Sequence, residues 1–210
     1  MNVSRKFPHS RLRRNRFTSS IRSLVAENNL TVNDLIQPIF VKEGLDGSEA
    51  INSLPGINRY GLNALDSELE RIQNNKINAV AVFPVIDPEK KDDNGTESLN
   101  EDNLVCEAIK QIKNSTDLTV IADVALDPYT SHGHDGLLNE SGYVDNDKSL
   151  ASLTAQAMTL AKAGADMVAP SDMMDGRIAS IRSSLEENGF VNTIILSYAA
   201  KYSSKFYGPF

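Results

Sequence analysis

Apolar residues recur along this chain in two alternating rhythms. Five short runs are β-branched or aromatic and nearly free of charge: Leu35-Ile-Gln-Pro-Ile-Phe-Val41, Ala79-Val-Ala-Val-Phe83, Leu118-Thr-Val-Ile-Ala-Asp-Val124, Asp166-Met-Val-Ala169 and the run from Thr193 to Ser197. Such runs read as buried strands. Pro38 places the first at an edge or an early disruption, and Pro84 ends the second. Between the strands the period lengthens. Leu65, Leu69 and Ile72 predict a helix over 63–76, and Leu104, Ala108, Ile109 and Ile112 predict another over 101–113. Further helices are expected over 149–163, closed by Gly164, and from about Asp175 to Glu187. A short helix is expected from Ser19 to Glu27, with Thr31 or Asn33 capping the next turn. Residues 1–16 read as extended, 42–60 as a long loop or small hairpin, and 87–100 as a polar surface loop.

Strands alternating with helices predict right-handed βαβ units and a parallel sheet. Two architectures offer that arrangement. A doubly wound sheet would carry a Gly-rich first turn, and none follows Val41. In a β/α barrel the chemistry sits on the loops after the strands, where this chain's polar segments 84–100, 125–146, 170–175 and 198–210 fall. The expected fold is therefore a TIM-type (β/α)8 barrel, of which only about the first five β/α units can be counted. The domain expectation is a basic arm over 1–30 and one catalytic domain over 31–210.

Charge changes the picture at one end. The 210 residues carry a net −7, yet residues 1–22 hold seven cations (Arg5, Lys6, Arg11, Arg13, Arg14, Arg16 and Arg22) and no acid, leaving −14 for the rest. A basic arm on an acidic body suits a neighbouring subunit better than nucleic acid, because no nucleic-acid motif follows it. No apolar run is long enough to span a bilayer, and no apolar core follows the early basic residues as a secretory signal would require. The single cysteine, Cys106, cannot form an internal disulfide, which suits a reducing cytoplasm.

Candidate chemistry gathers after the strands. Lys201 follows the last strand among Tyr198, Tyr202, Phe206, Tyr207 and Phe210, with Lys205 nearby. Rings strip water from an ammonium, and a second cation repels it; both favour a neutral amine able to attack a carbonyl. A solvated lysine with its stem on aromatics would read the same way. The loop Asp123-Val-Ala-Leu-Asp127-Pro-Tyr-Thr-Ser-His132-Gly-His134-Asp135-Gly136 offers carboxylates and imidazoles for a hard cation or a positioned water, or simply a turn-rich loop. After the fourth strand, Ser171 and Asp172 can hydrogen-bond a substrate, whereas Asp175 reads as a helix cap.

Taken together, the Arg11-Leu-Arg-Arg14 region, Leu35–Val41, Ser53-Leu-Pro-Gly56, Asp123–Gly136, Ala169-Pro-Ser-Asp-Met-Met-Asp-Gly-Arg177 and Ser197–Phe210 closely resemble the delta-aminolevulinic acid dehydratase (porphobilinogen synthase) family over essentially the whole chain. The resemblance implies a β/α barrel with an arm that embraces a neighbour, usually in a homo-octamer. It implies condensation of two 5-aminolevulinate molecules into porphobilinogen, with loss of two waters, in heme and chlorophyll synthesis. Lys201 matches the first of two Schiff-base lysines, and Asp123 a carboxylate that handles protons. Ser171, Asp172, Tyr198, Tyr207 and Phe210 match substrate-pocket residues. Where the zinc-using branch has three cysteines, this chain has Ala125, Asp127 and Asp135. Carboxylates favour magnesium or potassium over zinc. The resemblance is thus to the Asp-rich, magnesium-type branch, with Asp127 and Asp135 as candidate ligands of a divalent or monovalent ion and no catalytic zinc expected.

Two features depart from the family pattern. The second Schiff-base lysine and the carboxylate-binding arginines lie beyond Phe210 in the family, so the expectation is a fragment of a longer sequence, inactive alone. A Schiff-base barrel aldolase, or a non-catalytic relative assembling with full-length subunits, are the competing functions.

Overall fold

The computed structural model describes residues 6–200. Lys201, Tyr207 and Phe210, and with them the expected Schiff-base lysine and part of its aromatic surround, lie outside the described residues. The chain divides into two compact units between Asp34 and Leu35.

In the first unit, the extended arm expected over residues 1–16 is instead partly wound. A 3-10 turn spans Leu12–Arg16, and helix α1 spans Ser19–Leu24, three residues shorter than expected. Backbone bonds close the turn, from the Arg14 amide to the Arg11 carbonyl at 3.1 Å and from the Phe17 amide to the Arg14 carbonyl at 3.3 Å. Arginine side chains bond the carbonyls just before it: Arg11 donates to Pro8 at 3.2 Å and Arg14 to His9 at 2.9 Å. The Arg11 guanidinium also lies 4.3 Å from the centre of the Phe7 ring. Thr18 caps α1 by accepting from the Ile21 amide.

The second unit is an α/β layer structure. Its strands are β1 Ile36–Lys42, β2 Ser48–Ala50, β3 Asn58–Tyr60, β4 Ala79–Val85, β5 Thr119–Val124, β6 Met167–Pro170 and β7 Ile194–Ile195. They form one sheet in the order β2-β3-β1-β4-β5-β6-β7, parallel except for the β2–β3 hairpin. The hairpin settles the choice left open for residues 42–60. Among the described residues the sheet is open, not a closed barrel. Ladder bonding continues past β7, since the Leu196 amide donates to Val168 and the Tyr198 amide to Pro170.

Both prolines fit this register. β3 reaches only Phe40 and Val41, so Pro38 lies where β1 has a partner on one side alone. Pro84 does not end its strand, as the sequence suggested. The β4–β5 ladder stops at Val82, so Pro84 deprives β5 of no bond and β4 runs on to Val85.

Helices α2 Leu62–Asn74, α3 Leu104–Ser115, α4 Asn146–Ala163 and α5 Arg177–Glu187 connect the strands. Their buried residues pack with one face of the sheet. Leu65, Leu69, Ile72, Ile109, Ile112, Leu153, Leu160, Ile181 and Leu185 share a core with Ile39, Val41, Val80, Val82, Val120, Ala122 and Val168. Each fully buried aliphatic side chain contributes about 1.5–3 kcal/mol. The other face carries a small cluster of Ala81, Ile121 and Ala169 with Ala79, Phe83 and Met167, to which no helical residue belongs. The period of two thus separates a helix-covered face from one that the helices leave open.

Candidate functional site

The open face and the C-terminal ends of the parallel strands meet at one edge, and there the polar side chains gather. Asp123 is the penultimate residue of β5, in register with Ala169 of the open-face cluster. Ser171 follows β6, and its amide donates to the Val124 carbonyl at 3.3 Å. Tyr198 is held beside β6 by its amide, which donates to the Pro170 carbonyl at 3.2 Å. Two backbone bonds therefore tie together the strand ends bearing Asp123, Ser171 and Tyr198. Burial raises the Tyr198 phenol above its ordinary range, and the negative charge of Asp123 adds to the effect. Behind them Phe40 and Phe83 stack at 5.6 Å between ring centres, in register across β1 and β4. This aromatic pair was not singled out from the sequence. Counting by twos from Asp123's register position through Ile121 and Ala81 to Phe83 would have found it.

Asp172 is placed differently. Its side chain is buried, 1% exposed, with Oδ1 accepting from the Met174 amide at 2.7 Å and Oδ2 3.5 Å from Arg177 Nε. Burial pushes its carboxyl up, opposed by the Met174 amide and by Arg177. Ser171 and Asp172, adjacent in sequence, therefore occupy different surroundings. Asp175 does not cap α5. Gly176, with a left-handed φ of 83°, intervenes as the cap residue, and the Asp175 amide instead donates to Asn146 Oδ1 at 2.8 Å.

The Asp-rich loop folds over the end of β5. Asp135 Oδ1 accepts from the Leu126 amide at 2.8 Å, while Gln156 of α4 donates to the Ala125 carbonyl at 2.9 Å. One peptide group is thus held on both sides. Gly136 is required by close approach, since a Cβ there would lie 2.6 Å from Val144 Cγ1. His132 accepts from the His134 amide at 3.1 Å, with its other nitrogen 3.3 Å from the Asp93 carbonyl, so this imidazole serves the loop's own geometry. Ala125 is buried, 3% exposed, and has no ligand atom. Asp127 and Asp135 are half-buried and supply oxygen. Among the described residues no group of three or more His, Cys, Asp or Glu side chains is arranged to hold a metal ion. A pair of carboxylates completed by water suits magnesium in kind; a three-thiolate zinc set has no counterpart in these side chains. Cys106 lies elsewhere, in α3, where burial pushes its thiol up to about 11 and leaves it unreactive. No helix among the described residues is long and apolar enough to cross a membrane.

Comparison with known proteins joins this geometry to a family. The family model for delta-aminolevulinic acid dehydratase matches residues 9–210. The delta-aminolevulinic acid dehydratase of Bradyrhizobium diazoefficiens is 47% identical over 95% of this chain and 57% of its own length. That of Methanothermus sociabilis is 47% identical over 98% of this chain and 63% of its own length, and that of Chlamydia pneumoniae 49% identical over 95% and 60%. A crystal structure of the Toxoplasma gondii enzyme in complex with its product porphobilinogen superposes with a TM-score of 0.90 at 46% identity, covering 95% of this chain and 57% of that one. The chain thus spans about three-fifths of the length of these relatives.

Proposed function

The chain belongs to the delta-aminolevulinic acid dehydratase family, and from that premise we propose that the protein condenses two molecules of 5-aminolevulinate into porphobilinogen, with loss of two waters, in tetrapyrrole synthesis. The observation that carries this reading is the convergence of Asp123, Ser171 and Tyr198 at the C-terminal edge of a parallel sheet, on the face left open by the helices. In a closed (β/α)8 barrel that face is the interior and that edge the mouth, where such enzymes place their chemistry.

Lys201 follows Tyr198 by three residues. In the proposed mechanism its neutral amine attacks the ketone of a bound 5-aminolevulinate. A C–N bond forms, the carbonyl oxygen takes up protons, and water leaves as the C–O bond breaks, giving an imine. Asp123 is placed to pass protons at this stage, and Tyr198 donates a hydrogen bond from a phenol that burial keeps protonated. Ser171 orients the substrate; Tyr207 and Phe210 line the pocket. Asp127 and Asp135 would hold magnesium, or a monovalent cation, whose charge lowers the pKa of bound water. The arm carries homo-oligomer contacts, with an octamer as the expected assembly, and the compartment is the cytoplasm.

The test is direct. Purified protein carrying this chain is incubated with 5-aminolevulinate, porphobilinogen is read by its colour with an aldehyde reagent, and a parallel sample is reduced with borohydride. Product should form, and the peptide containing Lys201 should gain the mass of a reduced substrate adduct. Lys201→Ala should lose at least about 10³-fold in kcat, as removal of a covalent nucleophile does. Wild-type turnover in that variant would reduce Lys201 to a solvated side chain and overturn the mechanism.

A further inference from the structure

The corner between β6 and α5 contains a buried ion pair that takes no step in the proposed chemistry: Asp172, matched to the substrate pocket by the family resemblance, here faces Arg177 and the Met174 amide. Asp172 Oδ1 accepts from the Met174 amide, a local turn closed by a side chain, and Arg177 Nη1 donates to the Met174 carbonyl at 3.0 Å. Met174 is therefore held at both ends of its backbone by two side chains that are themselves paired at 3.5 Å. That separation is beyond hydrogen-bonding range, and Asp172 Oδ2 has no hydrogen-bond partner. The carboxylate depends on the guanidinium for its charge compensation. Its side chain is 0% exposed and that of Arg177 18%, so water screens the pair poorly.

The corner matters because of its neighbours in the chain. Ser171 immediately precedes Asp172, and its amide holds Val124, next to Asp123. The Pro170 carbonyl, one residue earlier, holds the Tyr198 amide. A displacement of Asp172 reaches Ser171 and Pro170 through one or two peptide bonds, and passes from them through these two hydrogen bonds to the strand ends bearing Asp123 and Tyr198.

We propose that Arg177 is a positioning residue, which acts through Asp172 to fix the β6–α5 corner and with it the relative placement of Ser171, Tyr198 and Asp123. The proposal rests on the porphobilinogen reading of the site. Arg177 touches no reacting atom; it keeps a buried carboxylate in its turn. Removing Arg177 alone leaves that carboxylate uncompensated, and the corner rearranges to reach water. Removing both charges, with Asp172→Asn as the second change, leaves a neutral amide in the same turn, whose side-chain oxygen can still accept from the Met174 amide. The pair is thus dispensable together and costly to break.

The test is a double-mutant cycle on the full protein (wild type, Arg177→Gln, Asp172→Asn and the double variant) with Arg177→Lys alongside it, and with kcat, KM and the folded fraction by circular dichroism measured for each. Arg177→Gln should lower kcat/KM by about 10–100-fold, mostly in kcat, as misplacement by about an ångström does. Asp172→Asn combined with Arg177→Gln should regain at least half of that loss on a logarithmic scale, and Arg177→Lys, which keeps the charge, should fall between wild type and Arg177→Gln. If Arg177→Gln does not fold, the Lys variant and the double variant carry the comparison. Wild-type kcat/KM in Arg177→Gln, a double variant no better than the single, or losses that track only the folded fraction would each overturn the proposal. A wild-type protein that makes no porphobilinogen sinks the functional reading instead. Thermal unfolding of the four proteins would then still show whether Arg177 and Asp172 act as one unit.

Discussion

Ala125 is the residue that bears most directly on the proposed metal chemistry. A methyl group buried against the core cannot ligate anything, and among the described residues no group of three or more potential ligand side chains is arranged around an ion. Asp127 and Asp135 offer hard oxygen, and Asp135 already spends Oδ1 on the Leu126 amide. Such donors hold magnesium through one or two carboxylates with water, at modest affinity. Activity of the full protein should therefore survive a zinc-selective chelator and rise on addition of magnesium. Complete loss with that chelator, restored by zinc alone, would defeat this assignment. The placement of the candidate residues at strand ends was legible at this scale: an acid one residue before the end of β5, a serine just after β6 and a tyrosine just past β7. The separation of Ser171 from Asp172 was not legible. Adjacent polar residues look alike in sequence, and what distinguishes them is Arg177, a partner five positions away whose reach depends on the turn between them.

Elements were legible where periodicity is strong and less so at their ends. The five strands and the four larger helices lie where hydrophobic spacing puts them, whereas helix starts shifted with the capping residue. α3 begins at Leu104, not 101, because Asn103 is the cap: its Oδ1 accepts from the Cys106 amide at 2.9 Å. α4 begins at Asn146, ahead of the expected 149, because Asp145 accepts from the Lys148 amide at 3.1 Å. The apolar pattern marks the buried stripe of a helix, and a cap can extend the helix beyond that stripe or stop it short. Asn103 does more than cap. It is 0% exposed, and its Nδ2 donates to the Glu97 carbonyl at 3.3 Å, fastening the preceding 3-10 turn to α3. Asn103→Ala should cost about 2 kcal/mol, at the upper end for caps because the freed groups stay buried. In a domain of this size that lowers Tm by about 4–8 °C. Asn103→Asp keeps the acceptor and loses the donor, so its Tm should fall between the two. Equal Tm for wild type and Asn103→Ala in a calorimetric scan would show that the cap is not holding this junction.

At the scale of the whole molecule, the division between Asp34 and Leu35 sets a cationic unit apart from an acidic one. The first unit has little core of its own: Phe7, Leu12, Phe17 and Leu24 are 74–84% exposed, interspersed with arginines. Apolar side chains this exposed, within a segment of net positive charge, suit burial against an acidic surface, and the rest of the chain, residues 35–210, carries −12. A second copy of the same chain supplies such a surface, in keeping with the proposed homo-oligomer. Two forces would hold the contact, and they respond differently to salt. Charge attraction weakens as the screening length shortens from about 8 Å at physiological salt to about 3 Å at 1 M. Apolar burial does not weaken in that way. Replacing Arg13 and Arg16 by Glu should therefore produce a smaller species in sedimentation velocity at about 0.15 M salt. Replacing Phe17 and Leu24 by Ser should weaken assembly at both low and high salt. If neither pair of substitutions changes the sedimentation coefficient, the arm is not the assembly element, and its charge must be accounted for by another anionic partner.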